Sequence, residues 1–294
     1  MSLAPFTTFK IGGPADLYVG VSNAEELIFA IKAARRNHVP FFLLGMGANI
    51  LVGDKGFRGI VIHNQSTGFQ IDPENGRLEC ESGVTVWPDL IEKLIESELS
   101  GLEHFAGIPS SVGGAVWQNL HFLSPAPKRE RTVFLDEVFH SATILTPDNQ
   151  VLTVDREYFQ FGYDTSILHF SGDIVTSVIF QLEYKPREIM KEIVRSNLEW
   201  RKERHPPLST EPSVGSIFKK IEGIGAGRLI DGCGMKGTRE GGIEISHRHA
   251  NIMINVGEGT ARDVRTLIER AVKTVKAETG YELEPEIAFV GDFS

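Results

Sequence analysis

Cysteine is scarce: the 294 residues contain only Cys80 and Cys233. That is too few for a disulfide framework or a cysteine-built zinc site, so two reduced thiols are expected. Basic charge is short as well, with 30 Lys and Arg against 39 Asp and Glu and a net charge of −9. A general nucleic-acid binder needs a cationic surface for phosphates, so that class is disfavoured. No apolar run approaches the ~18 residues that suggest a membrane span. The opening MSLAPFTTFK lacks the basic start and apolar core of a signal peptide. Repeats and low-complexity tracts are missing too. What is present, 41% hydrophobic and 23% charged residues, is an ordinary globular composition. A cytoplasmic monomer without nucleic-acid or membrane partners is the expectation.

The residue pattern predicts an α+β chain with a break near residue 185. Asn23-Ala24-Glu25-Glu26 has the form of a capping box, and Leu27, Ile28, Ile31 and Ala34 then recur at helical spacing. That helix ends near Asn37-His38 and feeds an apolar strand, Phe41–Leu44. Turn residues at 73–76 and 147–149 predict two hairpins. Leu90, Ile91, Leu94 and Ile95 form a helix face. Residues 186–204 predict a charged helix with Ile189, Ile193 and Trp200 as its buried stripe, stopped by Pro206-Pro207. Thr260 is a good N-cap for a stripe of Val264, Leu267, Ile268, Ala271, Val272 and Val275, with Gly280 as terminator. LEPEIAFVG reads as a strand with a carboxylate pair near its start.

Two glycine-rich stretches border these strands. In GMGANILVGD (45–54) the backbone N–H groups are freed of side chains and can surround an anion. No Gly-Lys-Ser/Thr follows, which excludes a triphosphate P-loop, and a strand rather than a helix comes next, which excludes a Rossmann turn. The second stretch is GIPSSVGGAVWQN (107–119). Two such loops strengthen the case for a dinucleotide ligand. A third segment, EPSVGSIFKK (211–220), places Ser216 without the G-x-S-x-G of an esterase nucleophile. A serine can instead donate a proton where its surroundings stabilise the alkoxide, and Lys219 stands nearby. The G-x-G-x-G within 223–237 follows no strand, so it is not a dinucleotide fingerprint. His247 and His249, two apart in a strand-like run, have no evident third ligand, so no metal is expected. Residues 128–131 read as a solvated loop.

The ordered blocks TTFKIGGPAD (7–16), GMGANILVGD (45–54), GLEHFAGIPSSVGGAV (101–116), FGYDTS (161–166), PSVGSIFK (212–219), AGRLID (226–231), SHRHANIMIN (246–255) and LEPEI (283–287) together resemble the UDP-N-acetylenolpyruvoylglucosamine reductase family, in its type II branch. The resemblance implies a two-part FAD-binding domain of the vanillyl-alcohol-oxidase/PCMH type plus a smaller α+β C-terminal substrate domain. Residues 1–62 and 63–185 would be the flavin subdomains and 186–294 the substrate domain, its last strand returning Glu286 to the flavin. Gly45, Gly47, Ala48, Asn49 and Ile50 would hold the FAD pyrophosphate. Gly107, Ile108, Pro109, Val112, Gly113 and Gly114 would run along the cofactor. The implied chemistry moves a hydride from NADPH, by way of FAD, to C3 of the enolpyruvyl group of a UDP-sugar. Ser216 matches the family's proton donor to C2, and Glu286 the carboxylate at the substrate's carboxyl end. Tyr163, Lys219 and Lys220 fall at substrate-binding positions.

Several positions depart from the family pattern. The arginine of its Tyr-Arg-x-Ser block is Asp164 here, a charge reversal at a site that faces a substrate carboxylate. Lys220 replaces an asparagine, Ala48 a hydroxyl residue and Ala288 an arginine. The small residues expected after Asn119 become LHFLSPAPKRERTVF. One reading keeps the reductase, with Lys220 or an arginine of 129–131 supplying the missing charge. The alternative is a divergent member that binds FAD and a nucleotide sugar but has lost or altered the reaction; an oxygen-using flavin oxidase is a further option. Survival of Ser216, Lys219 and Glu286 favours the reductase.

Overall fold

A computed structural model describes residues 1–126, 128–221 and 223–294. The described residues form α1 (Ala24–Arg36), α2 (Ile91–Glu96), α3 (Val112–Gln118), α4 (Leu168–Ser171), α5 (Arg187–Arg204), α6 (Ala226–Gly232) and α7 (Ala261–Thr279), set among short strands. The chain divides into two compact units. Residues 1–18, 46–61 and 202–294 make the first, and 19–45 and 62–201 the second.

The second unit is built on a five-stranded sheet in the order Val151–Asp155, Phe139–Leu145, Ile174–Gln181, Arg77–Glu81, Phe69–Asp72. All neighbours are antiparallel, and two pairs are the hairpins expected at 73–76 and 147–149. Alternation points Leu78, Cys80, Val178 and Phe180 inward, where they pack with Leu90, Leu94, Val112 and Val116. Burial pushes the Cys80 thiol far up, so this cysteine is an inert core residue. Leu90, Ile91, Leu94 and Ile95 are all buried, as their spacing predicts.

Three expectations are corrected in this unit. Asn23 caps α1 by accepting the Glu26 N–H at 2.9 Å, but the Glu26 carboxylate turns to the N–H and hydroxyl of Ser22, both at 2.8 Å. The return half of the capping box is therefore shifted by one residue. In α5 the buried row is Met190, Val194 and Asn197, while Ile189 is 51% exposed. A polar residue sits in that row because its amide is fully used: Asn197 donates to the His104 carbonyl at 3.0 Å and accepts from Arg129 at 2.9 Å. Arg129 also donates to Ser196 and lies over the Trp200 ring, so it is docked on α5 rather than solvated.

In the first unit, α7 buries Ala261, Val264, Leu267, Ile268, Ala271 and Val275. It starts at a reciprocal Thr260–Asp263 box and ends at left-handed Gly280. Its core is shared with α6 and a three-stranded sheet of Arg239–Glu240, Ile243–Ile245 and Met253–Asn255. His247 and His249 lie in the turn between the last two strands, not within a strand. The C-terminal strand is shorter than its sequence suggests. Only Ala288–Val290 pairs, in parallel, with Ile50–Val52. Among the described residues no three metal-ligating side chains cluster, and no helix is long and apolar enough to cross a membrane.

Candidate active site

In the first unit the residues before that strand form a second, separate pairing. The Lys219 N–H donates to the Glu284 carbonyl at 2.9 Å and the Glu286 N–H to the Ile217 carbonyl at 2.8 Å, around a Phe218–Pro285 bridge. These rungs set Glu286 beside the residue that follows Ser216. Two residues later the Ala288 N–H donates to the Asn49 carbonyl at 3.0 Å, in register with Ile50. One short segment thus ties Ser216 and Glu286 to the end of the 46–49 loop. Ser216 and Glu286 are half-buried, and Lys219 and Lys220 are exposed. The Lys219 ammonium is paired with the exposed Glu284 carboxylate.

The geometry around Ser216 rests on Asn251, a residue of the 246–255 block to which the sequence assigns no role of its own. Its side chain accepts the Phe218 N–H at 3.0 Å and donates to the Phe218 carbonyl at 2.8 Å. Its own carbonyl accepts from the Ile217 N–H at 2.8 Å. Ser216 itself bridges to Ile252. The neighbouring His249 is pushed down by burial and by the Lys236 charge, which favours the neutral ring.

The loop at 46–49 has the form of an anion cradle. Among the described residues, the amide N–H groups of Met46, Gly47 and Ala48 have no acceptor. Gly47 has a φ of +61°, and a Cβ there would meet the Phe6 carbonyl oxygen at 2.4 Å. No other residue type fits that position without strain.

In the second unit, a Cβ on Gly45 would meet the Ser111 hydroxyl at 2.6 Å. Ser111 caps α3 by accepting the Gly114 N–H at 3.3 Å. Gly113 donates to the Ser82 carbonyl at 2.7 Å, Val112 is buried and Ile108 packs on the core. Gly107 has a φ of +82° and backs onto Leu198 and Arg201. The Arg201 guanidinium lies over Phe122 and is pushed down to about 10 by burial alone. His63 is likewise pushed down by burial, against an opposing hydrogen bond to the Gly45 backbone. Tyr163 and Asp164 sit in the tight turn of the FGYDTS block, closed by a Gly162–Thr165 bridge. Asp164 is buried with a φ of +54°, and its carboxylate lies 3.6 Å from His121 Nδ1.

Comparison with known proteins fits both halves of this geometry. The family profile of the FAD binding domain matches residues 15–155, and that of the UDP-N-acetylenolpyruvoylglucosamine reductase C-terminal domain matches residues 206–290. A UDP-N-acetylenolpyruvoylglucosamine reductase of Clostridium novyi is 35% identical over 289 residues, covering 98% of this chain and 90% of its own. The chain belongs to the UDP-N-acetylenolpyruvoylglucosamine reductase family. Its relative from Streptococcus agalactiae serotype III is 37% identical over 299 residues, covering 99% of this chain and 93% of that one. The crystal structure of the Thermus caldophilus reductase aligns with a TM-score of 0.79 at 32% identity, over 99% of this chain and 97% of that one. The fold is therefore that of this reductase family, an FAD-binding domain joined to the family's C-terminal domain.

Membership makes the chain an FAD-containing oxidoreductase. Its own residues fit the cofactor. Three amides at 46–48 that have no acceptor among the described residues, in a loop whose Gly47 has a left-handed φ of +61°, suit a pyrophosphate.

Proposed function

We propose that this reductase converts UDP-N-acetylenolpyruvoylglucosamine to UDP-N-acetylmuramate with NADPH as hydride donor, acting as a cytoplasmic monomer in peptidoglycan precursor synthesis. In this reading residues 1–62 and 63–185 serve the flavin and 186–294 the substrate. The observation that supports it most is the 284–288 segment, whose backbone joins Glu286, the Ser216 loop and the residues that close the anion cradle.

When bound, FAD supplies the hydride carrier between NADPH and C3 of the enolpyruvyl group. Ser216 then gives its hydroxyl proton to C2, where negative charge develops. Glu286 acts at the substrate's carboxyl end, where preorganised groups stabilise the charge that appears during reaction. Lys219 binds an anionic part of the substrate and releases Glu284 to do so. An exposed pair of that kind is worth only about 0–1 kcal/mol, so the exchange costs little. Tyr163 and Lys220 complete the substrate contacts, and Gly45, Gly47, Ala48, Asn49 and Ile50, with residues 107–109 and 112–114, hold the cofactor.

The test is an anaerobic flavin titration. NADPH is expected to bleach the flavin absorbance, and UDP-N-acetylenolpyruvoylglucosamine to restore it with formation of UDP-N-acetylmuramate. A flavin that NADPH cannot bleach would refute the reading. Bleaching without recovery would assign a different acceptor.

A further inference from the structure

We propose that His249 is a positioning residue for proton transfer from Ser216. Its neutral ring holds Asn251, Asn251 holds the segment that carries Ser216, and a proton on the ring releases both. The inference rests on the substrate reading given above and adds a residue and a pH dependence to it.

His249 Nδ1 lies 3.3 Å from the Asn251 amide nitrogen and accepts its N–H. An acceptor nitrogen carries no proton, so the ring is the Nε2–H tautomer. The bond spans two residues, the pattern that Asn and Asp side chains make with their own backbone in tight turns. The same turn is closed by the Ile252 N–H, which donates to the His249 carbonyl at 2.9 Å. Asn251 passes this placement on. Its carbonyl takes the Ile217 N–H, and its side-chain amide takes both backbone groups of Phe218. The next residue, Ile252, bridges to Ser216 itself. Asn251, Ile217 and Phe218 are buried, so a bond lost there strands its partners away from water.

Three other segments approach the ring. The His205 ring meets it edge-on, with centroids 5.4 Å apart. At the start of α6, a Cβ on Gly227 would lie 3.5 Å from His249 Cε1. The Lys236 charge acts from the residues that follow α6, and its ammonium is paired with Asp231 at 2.7 Å. On the ring's own turn, Arg248 donates to the Lys202 carbonyl at 3.4 Å and His247 lies 3.8 Å from Glu244.

Burial first and the Lys236 charge second hold His249 below the ordinary histidine value. A histidine that is lower in the folded than in the unfolded state stabilises fully above its unfolded value, about 6.5. That contribution is lost as pH falls through the folded value. The proton arrives on Nδ1, where it faces the Asn251 N–H. Two donors then point at each other, and the turn that sets Ser216 gives way.

The test follows both half-reactions of the FAD-loaded protein by stopped flow across about pH 5 to 8, the range in which histidine titrates. Flavin reoxidation by UDP-N-acetylenolpyruvoylglucosamine is expected to show an acid limb at the His249 midpoint, and flavin reduction by NADPH to lack it. In His249→Asn the side-chain oxygen is as many bonds from the backbone as Nδ1 and does not titrate. Reoxidation at neutral pH should therefore be kept and the limb should disappear. His249→Leu fills the space without an acceptor. It should slow reoxidation at neutral pH about tenfold, the scale of one lost hydrogen bond, and leave reduction by NADPH unchanged. An independent readout is the Asn251 amide in nitrogen–proton correlation spectra, which should shift with the same midpoint in the unsubstituted protein and with none in His249→Asn. An acid limb that survives in His249→Asn, or an Asn251 amide that does not titrate, overturns the proposal. Equal loss of both half-reactions in His249→Leu overturns it as well, because a structural role acts on both. If the sugar nucleotide fails to reoxidise the flavin of the unsubstituted protein at every pH, the substrate reading itself fails, and this inference with it.

Discussion

At the scale of single residues, the Ser216 loop is held in place by a side chain from another segment of the chain. Asn251 holds both backbone groups of Phe218, two residues from Ser216. Asn251→Ala leaves a buried donor and acceptor without partners, at about 1–3 kcal/mol each at most. The expected outcome is a lower unfolding temperature together with slower flavin reoxidation by substrate, and an unchanged rate of reduction by NADPH. Ser216→Ala separates the two effects. It should keep stability and flavin reduction but slow reoxidation by roughly 10²–10⁴-fold, the usual worth of a positioned proton donor; stopped-flow traces of the two half-reactions check this. Equal loss in both halves would make Ser216 a residue of folding or binding.

Glu103 illustrates a different residue-scale effect. Its buried carboxylate accepts from the Ser100 hydroxyl at 2.6 Å, the Gly101 N–H at 2.7 Å and Lys185 at 3.2 Å. Burial pushes its pKa up, but the His104 charge, these hydrogen bonds and the Lys185 charge outweigh it and hold the carboxyl below the usual glutamate range. A carboxyl lower in the folded than in the unfolded state stabilises above the unfolded value, about 4.3, and that contribution is lost as pH falls through the folded value. Glu103→Gln is therefore expected to destabilise at neutral pH and to flatten the acid limb of a stability–pH curve measured by urea unfolding.

At the scale of elements, α7 was legible from end to end because all its signals are local: cap, 3.6-residue stripe and terminal glycine. Its remaining support was not. Asp54, 207 residues earlier, accepts the Ala261 N–H at 2.8 Å and the Arg262 N–H at 3.0 Å. Asp54→Ala removes two acceptors and a negative charge from the helix start, which costs about 1–2 kcal/mol. A fall of a few degrees in unfolding temperature is expected, about 2–4 °C per kcal/mol for large domains. In α5 the buried row differs from the apolar stripe. Apolarity alone puts Ile189 inside, whereas the buried row contains Asn197, a residue whose place is decided by partners at His104 and Arg129. The same holds at the site. The glycines were readable because backbone conformation demands them, and Ser216 and Glu286 because they sit in recognisable blocks. The Asn251 clamp and the His121–Asp164 contact arise from chain segments 33 and 43 positions apart and leave no local mark.

At the scale of the whole molecule, cofactor and fold are linked by mass action. A ligand that binds only the folded state stabilises by RT ln(1 + [L]/Kd), about 2.7 kcal/mol at a hundredfold excess over Kd. Added FAD should thus raise the unfolding temperature of the apoprotein in proportion to the logarithm of its concentration. Gly47→Ala tests whether the 46–49 loop carries that coupling. A Cβ there meets the Phe6 carbonyl oxygen at 2.4 Å, and φ is +61°, so the loop must distort. Gly280→Ala is the matched control. Its φ is +79°, nothing lies within 4 Å of the added Cβ, and it only ends α7. Each substitution strains the backbone by about 1 kcal/mol or more and lowers the apoprotein's unfolding temperature. They part on FAD. Gly280→Ala should retain the full FAD-induced rise, because the strain is the same with and without ligand. Gly47→Ala should lose most of it, since the distorted amides no longer converge on one anion. A full rise in both variants would move the pyrophosphate off residues 46–48, and the candidate cradle would then be only a tight turn.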